Sequence, residues 1–149
     1  METTGGRSDA KRTPVHLWIV GVLALVWTGF GALDFAMMSV RDPAYLAQVP
    51  PDVIDFVDAM PAWAIAAWAI GAGFALVGSG LLLLRALGAA YAYAMSLLGL
   101  SAYQFYQLLV GRPPSLNTPG GLAMTIAVWI IALGLLLYTL RLRSRGVLR

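Results

Sequence analysis

Hydrophobic positions in this chain fall into four long blocks, 15–38, 62–84, 88–110 and 120–140, separated by short polar or proline-containing stretches. Each block is close to the ~20 residues that a helix needs to cross a hydrocarbon core. The pattern predicts an all-α membrane protein. Four transmembrane helices over residues 15–140 form an antiparallel bundle, between a disordered tail at 1–14 and a basic tail at 141–149. Thr13-Pro14 and Thr118-Pro119 each read as an N-cap followed by proline in the first helical turn. Gly111-Arg-Pro-Pro114 is a terminator for the third block. The first block is longer than the ~7–15-residue core of a signal peptide and lacks a small-residue cleavage site, so it is expected to stay as a span.

The longest connection, 39–60, carries a second pattern. Pro51 to Met60 has apolar residues at 53, 56, 57 and 60 and Asp52 at its start, which predicts a short amphipathic helix lying along the membrane surface. Asp52, Asp55 and Asp58 are three residues apart, but no glycine-punctuated calcium loop accompanies them. They read as a solvated face, and no metal site is expected. Small residues recur every fourth position in the second block, at Ala67, Gly71, Ala75 and Ser79. Gly88, Ala92 and Ser96 supply a matching stripe in the third. Such stripes let two backbones approach closely. The turn at 85–88 is too short for anything but a hairpin between these two helices. Gly71-Ala-Gly73 and Gly78-Ser-Gly80 match no phosphate loop or nucleophile elbow and read as packing glycines.

Composition agrees with the pattern. Of 149 residues 60% are hydrophobic and 11% charged, against about a quarter charged in soluble domains. Cysteine is absent, which excludes disulfides and thiolate chemistry. The net charge of +3 reports orientation better than nucleic-acid binding, because the basic residues are unevenly placed. Eight of the ten lie in the N-terminal tail, the Arg85 turn and the C-terminal tail, and two, Arg41 and Arg112, lie in the other loops. Basic residues accumulate on the cytoplasmic side, so both termini are expected there. Trp18, Tyr91 and Tyr138 then fall at the inner interface, and Tyr45, Trp63 and Tyr106 at the outer one.

One acid lies inside an apolar block. Asp34 is near the end of Trp27-Thr-Gly-Phe-Gly-Ala-Leu-Asp-Phe-Ala-Met-Met38; a charged group at such a place is costly and marks a functional or paired residue. At ~1.5 Å per residue it is roughly 6 Å inside the outer boundary, level with Tyr103, Gln104 and Gln107 of the third block. The carboxyl should be paired, hydrogen-bonded or protonated, and Arg41 is long enough to fold back onto it. The expected site is an outward-facing polar pocket of Asp34, Tyr103, Gln104 and Gln107 with Trp27, Trp63 and Trp68 as walls. A structural polar clasp between helices would use the same residues.

Nothing points to an enzyme. No paired base and nucleophile emerges, which leaves a lipid-modifying activity without machinery. His16, the lone histidine, makes no metal or haem site by itself. No cofactor is expected. The arginine tail reads as a topology signal ahead of a lipid-headgroup site.

Trp27, Phe-Gly-Ala-Leu-Asp34, Met37, Ala44-Tyr-Leu46, Met60-Pro-Ala-Trp63, Trp68-Ala, Gly78-Ser, Leu81 to Arg85, Ser96-Leu and Tyr103-Gln104 together resemble a group of small, uncharacterised bacterial four-helix inner-membrane proteins, some labelled sugar transporters. The resemblance covers residues 27–107 and implies a four-span bundle in the bacterial inner membrane, without an established activity. Small multidrug exporters also carry an acid in the first of four helices. Here the acid is near one boundary, and the charge bias opposes dual insertion. The expected function is an accessory, ligand- or partner-binding membrane subunit; the alternative is an oligomeric component of a small-solute transporter. Expected partners are the bilayer and a second copy or another membrane protein, not nucleic acid.

Overall fold

The computed structural model describes residues 15–148, and no strand occurs among them. Six α-helices follow one another: α1 Val15–Ser39, α2 Pro43–Leu46, α3 Pro51–Asp58, α4 Ala62–Leu83, α5 Gly88–Val110 and α6 Pro119–Ser144, with a 3₁₀ turn at Pro114–Leu116 before α6. The expected N-terminal tail and the Thr13-Pro14 cap lie outside the described residues. Three helices, α1, α4 and α6, are long and apolar enough to cross a membrane. The third predicted span, α5, has the length at 23 residues but not the composition, because small residues and the Ser101-Ala-Tyr-Gln-Phe-Tyr-Gln107 run dilute its apolar content. Its Ala89, Ala92, Tyr93, Ser96, Gly99, Tyr106 and Gln107 are buried, while Tyr91, Leu98, Phe105 and Leu108 are exposed, so one face packs on neighbouring helices and the other carries large apolar side chains outward.

Helix ends follow local chemistry. The Thr118 side chain accepts from the Gly121 amide at 3.2 Å, with Pro119 in the first turn. Three helices close with the six-to-one bond of a Schellman motif: Asp42 N–H to Met37 O at 3.2 Å, Ala86 N–H to Leu81 O at 2.9 Å and Val147 N–H to Leu142 O at 3.0 Å. Glycine fills the left-handed position only in the third, at Gly146. Arg41 and Arg85 adopt φ of 57° and 59° in the other two, a strain of about 1–2 kcal/mol each. The predicted boundary at residue 140 is corrected, since α6 continues through Arg141 and Arg143 to Ser144. Beyond it the chain turns at Gly146, and Leu148 returns to the core. A basic segment continues a helix readily when its arginines can extend outward.

The α4–α5 hairpin is the tightest contact. A Cβ built on Gly99 would lie 2.5 Å from Gly71 N and 2.6 Å from Ala67 O, and one on Gly78 would meet the Tyr93 ring at 3.1 Å. Ser96 Oγ–H donates to Gly71 O at 2.7 Å. Residue numbers rise along α4 as they fall along α5. Ala67, Gly71, Ser79, Ala92 and Ser96 of the two stripes lie in or beside this seam, and Gly88 packs on Leu81. Ala75 instead borders a cavity. Gly73 and Gly80 are not packing glycines, because a Cβ on either would meet nothing within 4 Å.

The main core gathers near the chain termini, where Leu17, Ala24, Leu82, Ala89, Tyr93, Leu135 and Leu142 bury one another. His16 Nδ1 and Tyr138 Oη lie 2.7 Å apart there, joining α1 to α6. A smaller cluster caps the opposite, loop end: Met60, Ala64 and Tyr106, with Phe56, Val57 and Tyr103 packed on them. Thus the apolar face of α3 folds onto α5. Tyr106, expected at an interface, is buried beneath it. Asp52 accepts from Ser115 N–H at 2.9 Å and Ser115 Oγ–H at 2.6 Å, tying α3 to the 3₁₀ turn, while Asp58 pairs with Arg41. Two of the three aspartates on the expected solvated face therefore join loop segments.

Candidate functional site

Between the loop end and the main core, the four long helices leave a cavity of about 580 Å³. α1 contributes Trp27, Thr28, Phe30, Gly31 and Asp34; α4 contributes Trp68, Gly71, Ala72 and Ala75. Tyr93, Ser96, Leu100 and Tyr103 come from α5, and Met124, Val128, Ile131, Ala132 and Leu135 from α6. Interiors of packed proteins hold few voids larger than a water molecule, whereas ligand pockets run ~300–1,000 Å³. The volume of this space falls in the second range. Phe30 and Met124 on its rim are 68% and 57% exposed, so it opens sideways between α1 and α6. Toward the termini the Leu17, Tyr93 and Leu135 core closes it.

Asp34 stands at the rim, exposed, and its Oδ1 accepts a hydrogen bond from the Tyr45 hydroxyl. The partner expected from the third hydrophobic block is therefore corrected: a residue of the loop holds the acid. Asp42 caps α2 by accepting from Tyr45 N–H at 2.8 Å, which fixes the backbone from which Tyr45 reaches back toward α1. The short helix α2 thus works as a strap across the acid. Burial, then the Asp34 bond and charge, raise the Tyr45 phenol from 10.0 to about 12. Arg41 is unavailable to Asp34, being paired with Asp58.

Of the expected walls, Trp27 and Trp68 line the cavity, and so does Tyr103 from the expected polar group. The Trp68 ring stacks on Tyr103 at 5.7 Å between centroids, and Phe35 meets its edge at 5.1 Å. Trp63 does not: it packs edge-on to Tyr106 at 5.6 Å on the outside. Gln104 and Gln107 also lie elsewhere, with Gln104 Nε2–H donating to Gln107 Oε1 at 3.3 Å. Neither glutamine is on the wall, so the space is mainly aliphatic and aromatic, with Asp34 and Tyr103 the members of the expected polar group that line it. Its polar groups are Asp34 at the rim and hydroxyls deeper in.

Those hydroxyls form a chain that spacing alone does not reveal. Thr28, Ser79 and Tyr93 are 6%, 0% and 2% exposed. Ser79 Oγ lies 2.9 Å from Tyr93 Oη and 3.0 Å from Thr28 Oγ1, and Thr28 Oγ1 lies 2.8 Å from Ala24 O. Each hydroxyl has one proton, and running them Tyr93 to Ser79 to Thr28 to the carbonyl satisfies all three. The chain pins α1, α4 and α5 together at the cavity floor. The signal available was a Thr inside the first apolar block, where a hydroxyl needs a partner.

Compared with protein-family models, with curated proteins and with solved structures, the chain finds no match in any of the three. Among the described residues no group of three or more His, Cys, Asp or Glu is placed to hold a metal ion.

Proposed function

We propose that this chain is a small-molecule-binding subunit of the bacterial inner membrane, with four antiparallel spans and both termini cytoplasmic. In this reading α5 is the fourth span, with one face packed on its neighbours and Tyr91, Leu98, Phe105 and Leu108 on the other turned to lipid, and the loop end with α2 and α3 faces outward. The cavity binds a small amphiphile that enters sideways between α1 and α6 and leaves to, or arrives from, a membrane partner or a second copy. The supporting observation is the 580 Å³ space lined by all four long helices with one carboxylate at its mouth. A bundle held by a polar clasp alone would have no reason to leave it unfilled, because each void forfeits packing energy. No catalytic role is assigned to any residue.

The test uses Gly31, which lines the cavity and whose added Cβ would meet nothing within 4 Å. Gly31→Leu should fill the space without harming the fold. Native mass spectrometry of protein released from its membrane should show a small-molecule adduct on the wild type that the variant loses. No adduct, or one that persists in Gly31→Leu at normal thermal stability, overturns the reading. Reporter fusions at both ends test the orientation.

A second reading, an oligomeric component of a small-solute or sugar transporter, is favoured by the aromatic walls Trp27, Trp68 and Tyr103. Because the core closes the cavity toward the termini, a path would need a second copy or helix movement. Solute uptake that survives Asp34→Asn at normal protein levels counts against it.

A further inference from the structure

Among the described residues Asp34 is the one acid on the cavity wall, and it meets the wall at the open rim, where its charge is accessible to a ligand's head and the apolar floor to its body. The group now bonded to it is a hydrogen-bond donor, the Tyr45 hydroxyl, on a four-residue helix outside the long helices. Trp27, Trp68 and Tyr103 line the same cavity as the carboxylate, and aromatic faces attract cations. A phenol offers a carboxylate a hydrogen bond but no countercharge, whereas an ammonium group adds direct Coulomb attraction to the bond it donates. The carboxylate at the rim therefore favours a donor that carries positive charge.

We propose that the cavity selects lipophilic amines. The apolar body lies between α1 and α6 against Ala72, Leu100 and Val128, and the ammonium displaces Tyr45 from Asp34, releasing the α2 strap. The inference rests on the reading of the cavity as a ligand site and adds to it the chemical class of the head group. Tyr45 becomes a competitor built into the chain: it satisfies the acid when the cavity is empty and yields to a stronger donor. A neutral amphiphile of equal size leaves the strap bonded and gains only the apolar contacts.

The experiment compares two probes with the same dansyl tail and alkyl linker, one ending in a primary ammonium and one in a hydroxyl. Binding to the purified full-length chain is read as energy transfer from tryptophan, since Trp27 and Trp68 border the site. The wild type should bind the ammonium roughly tenfold or more tightly than the alcohol, as close charge–charge attraction at a partly screened rim warrants. Asp34→Asn should bring the two affinities together, and Tyr45→Phe should tighten the ammonium alone. Equal affinities in the wild type, or a preference that survives Asp34→Asn, overturn the amine assignment. If both probes bind equally and Gly31→Leu blocks both, the cavity reading stands and only the head-group class falls. If Gly31→Leu leaves both unchanged, the cavity reading falls as well.

Discussion

Replacing Gly99 by alanine tests whether the α4–α5 seam is a backbone-to-backbone contact. The added methyl carbon would lie 2.5 Å from Gly71 N and 2.6 Å from Ala67 O, and 3.0 Å from Gly71 Cα. These are main-chain atoms of a helix and cannot swing aside as a side-chain end can. The helices must separate by several tenths of an ångström, which also stretches the Ser96 to Gly71 bond now at 2.7 Å. Overpacking costs ~1–3 kcal/mol, and a weakened interhelical hydrogen bond adds about 0.6 kcal/mol. Helix propensity returns ~0.5–1 kcal/mol for Gly→Ala, leaving a net loss of about 2 kcal/mol. Gly73→Ala supplies the control, because its Cβ would meet nothing within 4 Å; it should be neutral or stabilising by the same propensity term. Reversible unfolding in mixed micelles, followed by tryptophan fluorescence, measures both. Gly99→Ala as stable as the wild type, or no more destabilised than Gly73→Ala, refutes the seam.

Three further outcomes are expected. Ser79→Ala strands the buried Tyr93 hydroxyl and removes the link to Thr28, a loss of about 1–2 kcal/mol; in a double-mutant cycle with Tyr93→Phe the two losses should be clearly less than additive. The Ser115 side chain, then its backbone amide, hold the Asp52 carboxyl below its ordinary range. Its contribution to stability is therefore complete above the ordinary carboxylate pKa and fades as pH falls through the lowered one; Ser115→Ala should flatten the acid limb of a melting-temperature profile. Tyr45 shows the opposite sign: its phenol is raised from 10.0 to about 12, so the strap's contribution is complete below pH 10.0 and lost as pH rises toward about 12. A difference titration of wild type minus Tyr45→Phe at 295 nm should show that late phenolate, and a midpoint near the ordinary value would contradict the strap.

Block lengths, the Thr118-Pro119 start, the Gly111 stop and the Pro51 helix are local features, decided by capping, proline and glycine chemistry within a turn or two, and the sequence by itself settled them to within a few residues. The small-residue stripe also marked the face of α4 that meets α5. What contacts Asp34, which tryptophans face inward and where space remains were decided only by the tertiary structure. The long helices are apolar on every side, so periodicity points to no single core face, and a fraction of a turn about the axis changes every partner. Depth along the axis put Asp34 level with Tyr103, Gln104 and Gln107, but depth is one coordinate of two; azimuth comes from side-chain packing. Packing set Gly99 against Gly71, turned Gln104 to Gln107, and left Asp34 at the edge of a gap, where a loop tyrosine eleven positions along the chain was the donor within reach.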